Sequence, residues 1–183
     1  MNKYLFAALV LIPVISCRKN KEQYYPFSDR ELRFVNYVPG QLIKFTDSSG
    51  ITHNMTQTVH RRSFVNANND QNGISELHED YIVAYHSPLG NQFDFHVQVK
   101  KSLYKPSVAN FFLAGYSGMV NAAGNYPTGN SIVVNGRTYN DVISFKAYKL
   151  PLSGNDTATF YHNQVFGIIQ LVFPNGKKIV RTD

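Results

Sequence analysis

Apolar and polar residues alternate with a period of two along much of this chain, the pattern of strands with one buried and one wet face. Residues 41–45 set Leu42 and Lys44 against Ile43 and Phe45, and Asp47-Ser48-Ser49-Gly50 follows as a hairpin loop. Residues 51–62 return as a polar strand, with Thr52, Asn54, Thr56 and Thr58 on one face. Asn66-Ala67-Asn68-Asn69-Asp70-Gln71-Asn72-Gly73 is built of turn formers with almost nothing to bury, and predicts an exposed loop. The clearest pattern is residues 76–86 and 92–101, flanking Ser87-Pro88-Leu89-Gly90-Asn91. Pairing across that loop places Tyr81, Val83 and Tyr85 on one face with Val97, Phe95 and Phe93. The other face carries Asp80, His86, Asp94, His96 and Gln98 beside Ile82 and Ala84.

Residues 111–120 read as one more strand and 121–130 as loop. Asn135-Gly136, between residues 131–134 and 137–148, is the strongest short hairpin signal. Asn163-Gln164 turns residues 157–162 into 165–173, and Asn175-Gly176 leads into 178–181. One short helix is predicted over residues 29–36, because Ser28-Asp29-Arg30-Glu31 has the form of a capping box ahead of Leu32, Phe34 and Val35. It stops before Pro39-Gly40, and its expected role is to plug or cover one end of a sheet. The chain therefore reads as all-β: a single antiparallel meander of about ten strands, closed into a barrel or folded as a sandwich so that its edges are hidden.

The first sixteen residues break this pattern. Met1-Asn2-Lys3-Tyr4 is a short basic start, and Leu5 to Ile15 is almost wholly apolar, about half of the ~20 residues that a membrane-spanning helix needs. A basic start, a short apolar core and small Ser16 make a secretory signal. Val14-Ile15-Ser16-Cys17 resembles the lipobox of bacterial lipoproteins, which has an aliphatic residue at −3, a small one at −1 and an obligatory cysteine. Ile15 departs from the small residue usual at −2. The resemblance implies a diacylglycerol on the Cys17 thiol, cleavage before Cys17 and anchoring in the cell envelope. Arg18 follows Cys17 where an aspartate would mean inner-membrane retention under the enterobacterial sorting rule, so the outer membrane is expected. The expected layout is 1–16 signal peptide, 17–23 lipidated tether and 24–183 a single β domain.

A second resemblance lies in roughly the last 50 residues. Gly136-Arg137-Thr138-Tyr139-Asn140-Asp141-Val142, then Tyr161-His162-Asn163 and Phe166-Gly167-Ile168-Ile169, is similar to the C-terminal hairpins of small envelope lipoproteins of Bacteroidota-type bacteria. Ile179 stands where that pattern has a terminal aromatic. The resemblance implies a location and a β fold, not an activity.

Composition agrees with strands. Aromatic residues make up 14% of the chain, with 12 Tyr, 13 Phe and no Trp. The single cysteine leaves no intramolecular disulfide available. The formal net charge of +6 is scattered. Only Arg18-Lys19-Asn20-Lys21, beside the anchor, suits anionic head groups. His60-Arg61-Arg62 and Lys177-Lys178 are too short for a nucleic-acid footprint, so the expected partners are the membrane, through Cys17, and an envelope protein.

Candidate chemistry is sparse. His78, Asp80, His86, Asp94 and His96 share one hairpin, but a zinc site needs ligands converging at ~2 Å, and His96, opposite Ile82, stands ~13 Å along the strand from His86. Ser117 in Gly115-Tyr116-Ser117-Gly118 lacks the spacing and strand-to-helix context of a nucleophile elbow. Glu76, Glu79 and Asp80 are the carboxylates a glycosidase would draw on. No phosphate-binding or dinucleotide motif is present, and no metal or cofactor is implied. Two functions follow: a non-catalytic binding or accessory lipoprotein, or a lipocalin-like barrel for a small apolar or glycan ligand. An envelope hydrolase is the third and weakest. In the lipocalin-like case Tyr81, Tyr85, Phe93, Phe95, Phe111 and Tyr116 line the cavity, with Tyr24, Tyr25 and Phe112 as further aromatics; otherwise these rings are simply the core of a Trp-free domain.

Overall fold

The computed structural model describes residues 21–69, 74–90, 93–102, 105–126, 129–151 and 156–183, apart from the side chains of residues 67–69 and 74. Along them run β1 (Lys21–Tyr25), α1 (Asp29–Leu32), β2 (Ile43–Asp47), β3 (Thr52–Asn69), β4 (Ile74–His86), β5 (Phe95–Lys100), β6 (Val108–Leu113) and β7 (Tyr116–Asn121). They continue with β8 (Ile132–Val134), β9 (Arg137–Tyr139), β10 (Val142–Lys149), β11 (Thr157–Asn163), β12 (Gly167–Val172) and β13 (Lys178–Arg181). β2 to β7 pair in sequence, β7 pairs β10, β10 to β13 pair in sequence, and β13 returns to β2. These ten strands close an antiparallel barrel, so of the two all-β architectures expected the barrel is the one formed. An even strand number lets every neighbour in the ring be antiparallel, including β13 against β2, and closure leaves open edges on β1 and on β3 beyond its pairing with β2.

Alternation decides which residues fill the barrel. Ile43, Phe45, Met55, Tyr81, Val83, Tyr85, Phe95, Val97, Phe111, Leu113, Phe160 and Leu171 are all 1% exposed or less. Outward positions are mixed: Lys44, Asn54, Asp80, Gln98 and Lys146 are interspersed with a smaller number of apolar residues such as Ile82, Phe112 and Met119. On β7, Gly118 makes room for two rings: a Cβ there would stand 2.8 Å from Phe160 and 3.0 Å from Phe145.

Several elements differ from the sequence pattern. The β4–β5 register is two residues off the expected one, with Tyr81 opposite Val99, Val83 opposite Val97 and Tyr85 opposite Phe95. His96 thus faces Ala84, and Gln98 faces Ile82. A two-residue slip keeps every side chain on its expected face. Its cause is Asp94, which takes the loop-closing position by accepting from Ser87 N at 3.2 Å and pairing His86 at 2.9 Å. Residues 111–120 are two strands, because Ala114 (φ 52°) and Gly115 (φ 79°) form a tight turn with both central residues left-handed. Residues 137–148 also divide: left-handed Asp141 (φ 53°) separates β9, in a small hairpin with β8, from barrel strand β10. The hairpin at Asn135-Gly136 is present as expected.

β3 runs on through residues 66–69, inside the expected loop, because the β4 backbone offers a ladder to a stretch with no apolar pattern of its own. Backbone pairing likewise draws Lys21–Tyr25 into a parallel strand on β4, so residues 21–23 of the expected 17–23 tether are sheet. Cys17 and the signal segment lie outside the described residues.

The segment between β1 and β2 closes one end of the barrel, as expected of the capping-box helix, although α1 is a single turn. Ser28 N and its hydroxyl donate to Glu31 Oε2 at 2.7 and 2.6 Å, and Lys101 Nζ adds an ion pair at 2.7 Å. Burial would raise the Glu31 carboxyl, but donors from Lys101, Ser107 and Ser28 outweigh it and hold the group below its usual range. Beyond the turn the apolar residues point into the barrel, which ends the helix early. Phe34 packs its ring 4.9 Å from His162 and 6.1 Å from Phe111. Tyr37 lies between Tyr85 and Phe95, accepts from Ile168 N at 3.0 Å, and covers Gly167 so closely that a Cβ there would sit 2.1 Å from its hydroxyl.

Candidate functional site

In a meander barrel alternate turns lie at the same end. The end opposite the plug gathers the β2–β3, β4–β5, β6–β7 and β12–β13 turns. There a depression of about 330 Å³ opens between Ser48, Phe93, Ala114, Phe173, Lys177 and Lys178. Its apolar wall is fixed from behind. Phe93 stacks on the buried His53 ring at 3.8 Å, and Phe173 meets Tyr116 edge-on at 5.2 Å.

The polar rim is tied down as well. Asp47 Oδ1 accepts from Ser49 Oγ at 2.6 Å, Ser49 N at 2.9 Å and Ile51 N at 3.0 Å, while Oδ2 stands 3.4 Å from His53 Nε2. These donors, the Ser49 hydroxyl first, hold the carboxyl down at about 2, against the opposing effect of burial. Ser48 Oγ donates to Lys178 O at 2.9 Å and accepts from Lys178 N at 2.6 Å, joining two turns across the mouth. The Tyr116 hydroxyl donates to Asp156 at 2.8 Å; burial, then that carboxylate, pushes it up to about 12. Lys177 and Lys178 are exposed and form no ion pair among the described residues. The mouth thus offers aromatic walls, a carboxylate already saturated with donors, and two cations free to meet a ligand.

The six aromatics proposed as a cavity lining separate. Tyr81, Tyr85, Phe95 and Phe111 are buried to 1% or less and pack against the plug and one another. Their polar atoms are used internally: the Tyr81 hydroxyl donates to Tyr37 O at 3.4 Å, and Gln57 Nε2 donates to the Tyr85 hydroxyl at 3.1 Å. Phe93 lines the mouth, and Tyr116 reaches it only through Phe173. Phe173, Lys177, Lys178 and the Asp47–His53 pair carried no signal beyond a loop and a charge doublet. Turn parity along the meander would have grouped them.

The remaining chemical candidates are dispersed. Ser117 sits in mid-ladder on the outer face, opposite Phe112 and Tyr148. Glu79 faces inward, accepting from Phe27 N at 2.5 Å and pairing Arg62, whereas Asp80 faces outward, 3.8 Å from Arg61. Among the described residues no three His, Cys, Asp or Glu side chains gather where they could hold a metal. A second depression, of about 360 Å³, lies on the outer wall beside Arg61, His78, Asp80 and Lys100. Its charges are largely paired and it lacks an aromatic wall, so the mouth is the better-built site. No protein-family model, no curated protein and no solved structure matches the chain.

Proposed function

We propose that this protein is a lipoprotein of the cell envelope, anchored through Cys17 in the outer membrane, whose barrel holds a small ligand at its open mouth without reacting with it. The observation that carries the binding half is the 330 Å³ mouth, with Phe93 and Phe173 as walls and Lys177 and Lys178 at the rim. A ligand with a short apolar part and an acidic head fits that chemistry. The tail gains ~0.8 kcal/mol per methylene taken from water, and the head meets two cations. The lipobox and the short apolar leader support the anchor.

Titration calorimetry on the mature protein tests the binding half with octanoate, octylamine (cationic at neutral pH) and octanol. Octanoate should bind at least tenfold more tightly than octylamine, and Lys177→Glu/Lys178→Glu should remove that preference. Equal affinity for the two charged probes, or no heat with any of the three, refutes it. Mass spectrometry of the mature N-terminus tests the anchor; an unmodified Cys17 refutes that half alone.

A further inference from the structure

We infer that the barrel stands on the bilayer through the sheet extension built by β1 and the distal halves of β3 and β4, with its mouth facing away from the membrane. The inference rests on the lipid anchor at Cys17 and concerns how the anchored barrel is oriented. Along one edge β4 changes partner: residues 80–85 pair β5 of the barrel wall, whereas 74–78 pair β1. On its other edge β3 follows β4 throughout, so a three-stranded ribbon projects beyond the wall at the plugged end.

β1 is parallel to β4, with Lys21 beside Ile74 and Tyr25 beside His78. The chain therefore arrives at the distal end of the ribbon and runs toward the barrel, where α1 caps the plugged end. Four peptide steps separate Cys17 from Lys21 and span at most ~14 Å. β4 from Ile74 to His86 covers ~40 Å at strand rise, and Phe93 of the mouth lies past its far end. An anchor on that short lead can meet the ribbon but falls well short of the mouth.

The surface of the ribbon is mixed. Tyr24 is 53% exposed and packs edge-on against Phe64, itself 42% exposed, at 5.2 Å. Val65, 47% exposed, lies on the opposite face. These side chains stand opposite residues 77–79 of β4, at the root of the ribbon, while Lys21, Glu22, Gln23 and Glu76 lie nearer its end, so the end rests among the head groups and the apolar residues sit behind it. The Tyr24 hydroxyl donates to Glu22 at 2.5 Å, and Arg18, Lys19 and Lys21 outnumber that carboxylate and complement anionic head groups.

The test uses the lipidated mature protein in vesicles of phosphatidylcholine and phosphatidylglycerol at 7:3, with nitroxide-labelled head groups. Acylation blocks Cys17, so a fluorophore can be attached at one introduced cysteine: Phe64→Cys on the ribbon, Met119→Cys on the outer wall or Lys177→Cys at the mouth. Quenching at position 64 should exceed that at 119 and 177 at least threefold, and should weaken when phosphatidylglycerol is left out. Quenching at 119 or 177 equal to that at 64 means a barrel lying flat or inverted, and overturns the orientation. So does weak quenching at all three sites in protein that floats with the vesicles. Protein with unmodified Cys17 that fails to float overturns the anchor, and the orientation with it, and mass spectrometry tells this case from the others.

Discussion

Acid should destabilise the barrel through one buried ring, His162 on β11. It is 0% exposed, lies between Phe34 and Phe111, and neither ring nitrogen has a hydrogen-bond partner among the described residues. Burial first, and the Arg33 guanidinium second, depress its pKa from 6.5 to about 3. The unfolded chain then binds a proton below pH 6.5 that the folded chain refuses. Stability from the neutral ring is complete above that pH and falls as pH drops toward 3. At ~1.4 kcal/mol per pH unit below 6.5, the loss between pH 7.5 and 4.5 is about 2–3 kcal/mol. Half-buried His96, also lowered by burial, acts with the same sign, so the measurement must be a difference between proteins. Urea unfolding of wild type and His162→Leu at pH 7.5, 6.5, 5.5 and 4.5 supplies it. The variant should equal or exceed wild type at pH 7.5, since an unpaired buried polar group costs about 1–3 kcal/mol, and should lose roughly 2–3 kcal/mol less on the way to pH 4.5. Parallel loss in both proteins would refute the argument.

Two further perturbations act on the plug. Gly167→Ala forces a Cβ against the Tyr37 ring at a left-handed position (φ 74°), and should cost roughly 3 kcal/mol or more in urea unfolding; a loss below ~1 kcal/mol would mean that Tyr37 does not hold this place. Lys101→Met leaves the Glu31 carboxylate buried without its cation. It should cost about 3–5 kcal/mol at pH 7, and less as pH falls, because burial without Lys101 makes Glu31 of the variant take up a proton before that of the wild type; a pH-independent loss would mean that the pair is not the cause.

The strands were legible where one face is apolar. Tyr81, Val83 and Tyr85 could point only one way, and the two-residue slip against β5 preserved that choice because the side-chain period is two. Asn135-Gly136 was legible because both residues tolerate left-handed backbone. Ala114-Gly115 was not, since alanine seldom takes φ near 52°, so β6 and β7 read as one strand. β1 and the end of β3 were invisible for a different reason. Their pairing is backbone to backbone on the β4 edges, and Lys21-Glu22-Gln23 and Asn66-Ala67-Asn68-Asn69 carry no pattern that announces it.

For the aromatic residues the sequence left cavity lining and plain core both open. An eight-stranded barrel is just filled by its own side chains or holds one small ligand, and width grows with strand count. A meander of about ten strands therefore leaves room for either reading of its aromatic surplus. This barrel meets the extra width with its own chain: Phe34 and Tyr37 enter from the plugged end and occupy the space among Tyr85, Phe95 and Phe111. Four of the six aromatics are thereby turned into core, and the open volume moves to the far mouth, where the turn residues Ser48, Lys177 and Lys178 set its chemistry. One segment thus fixes two things: it fills the interior, and by running in from β1 it puts the N-terminal end of the described chain at the end of the barrel opposite the open one.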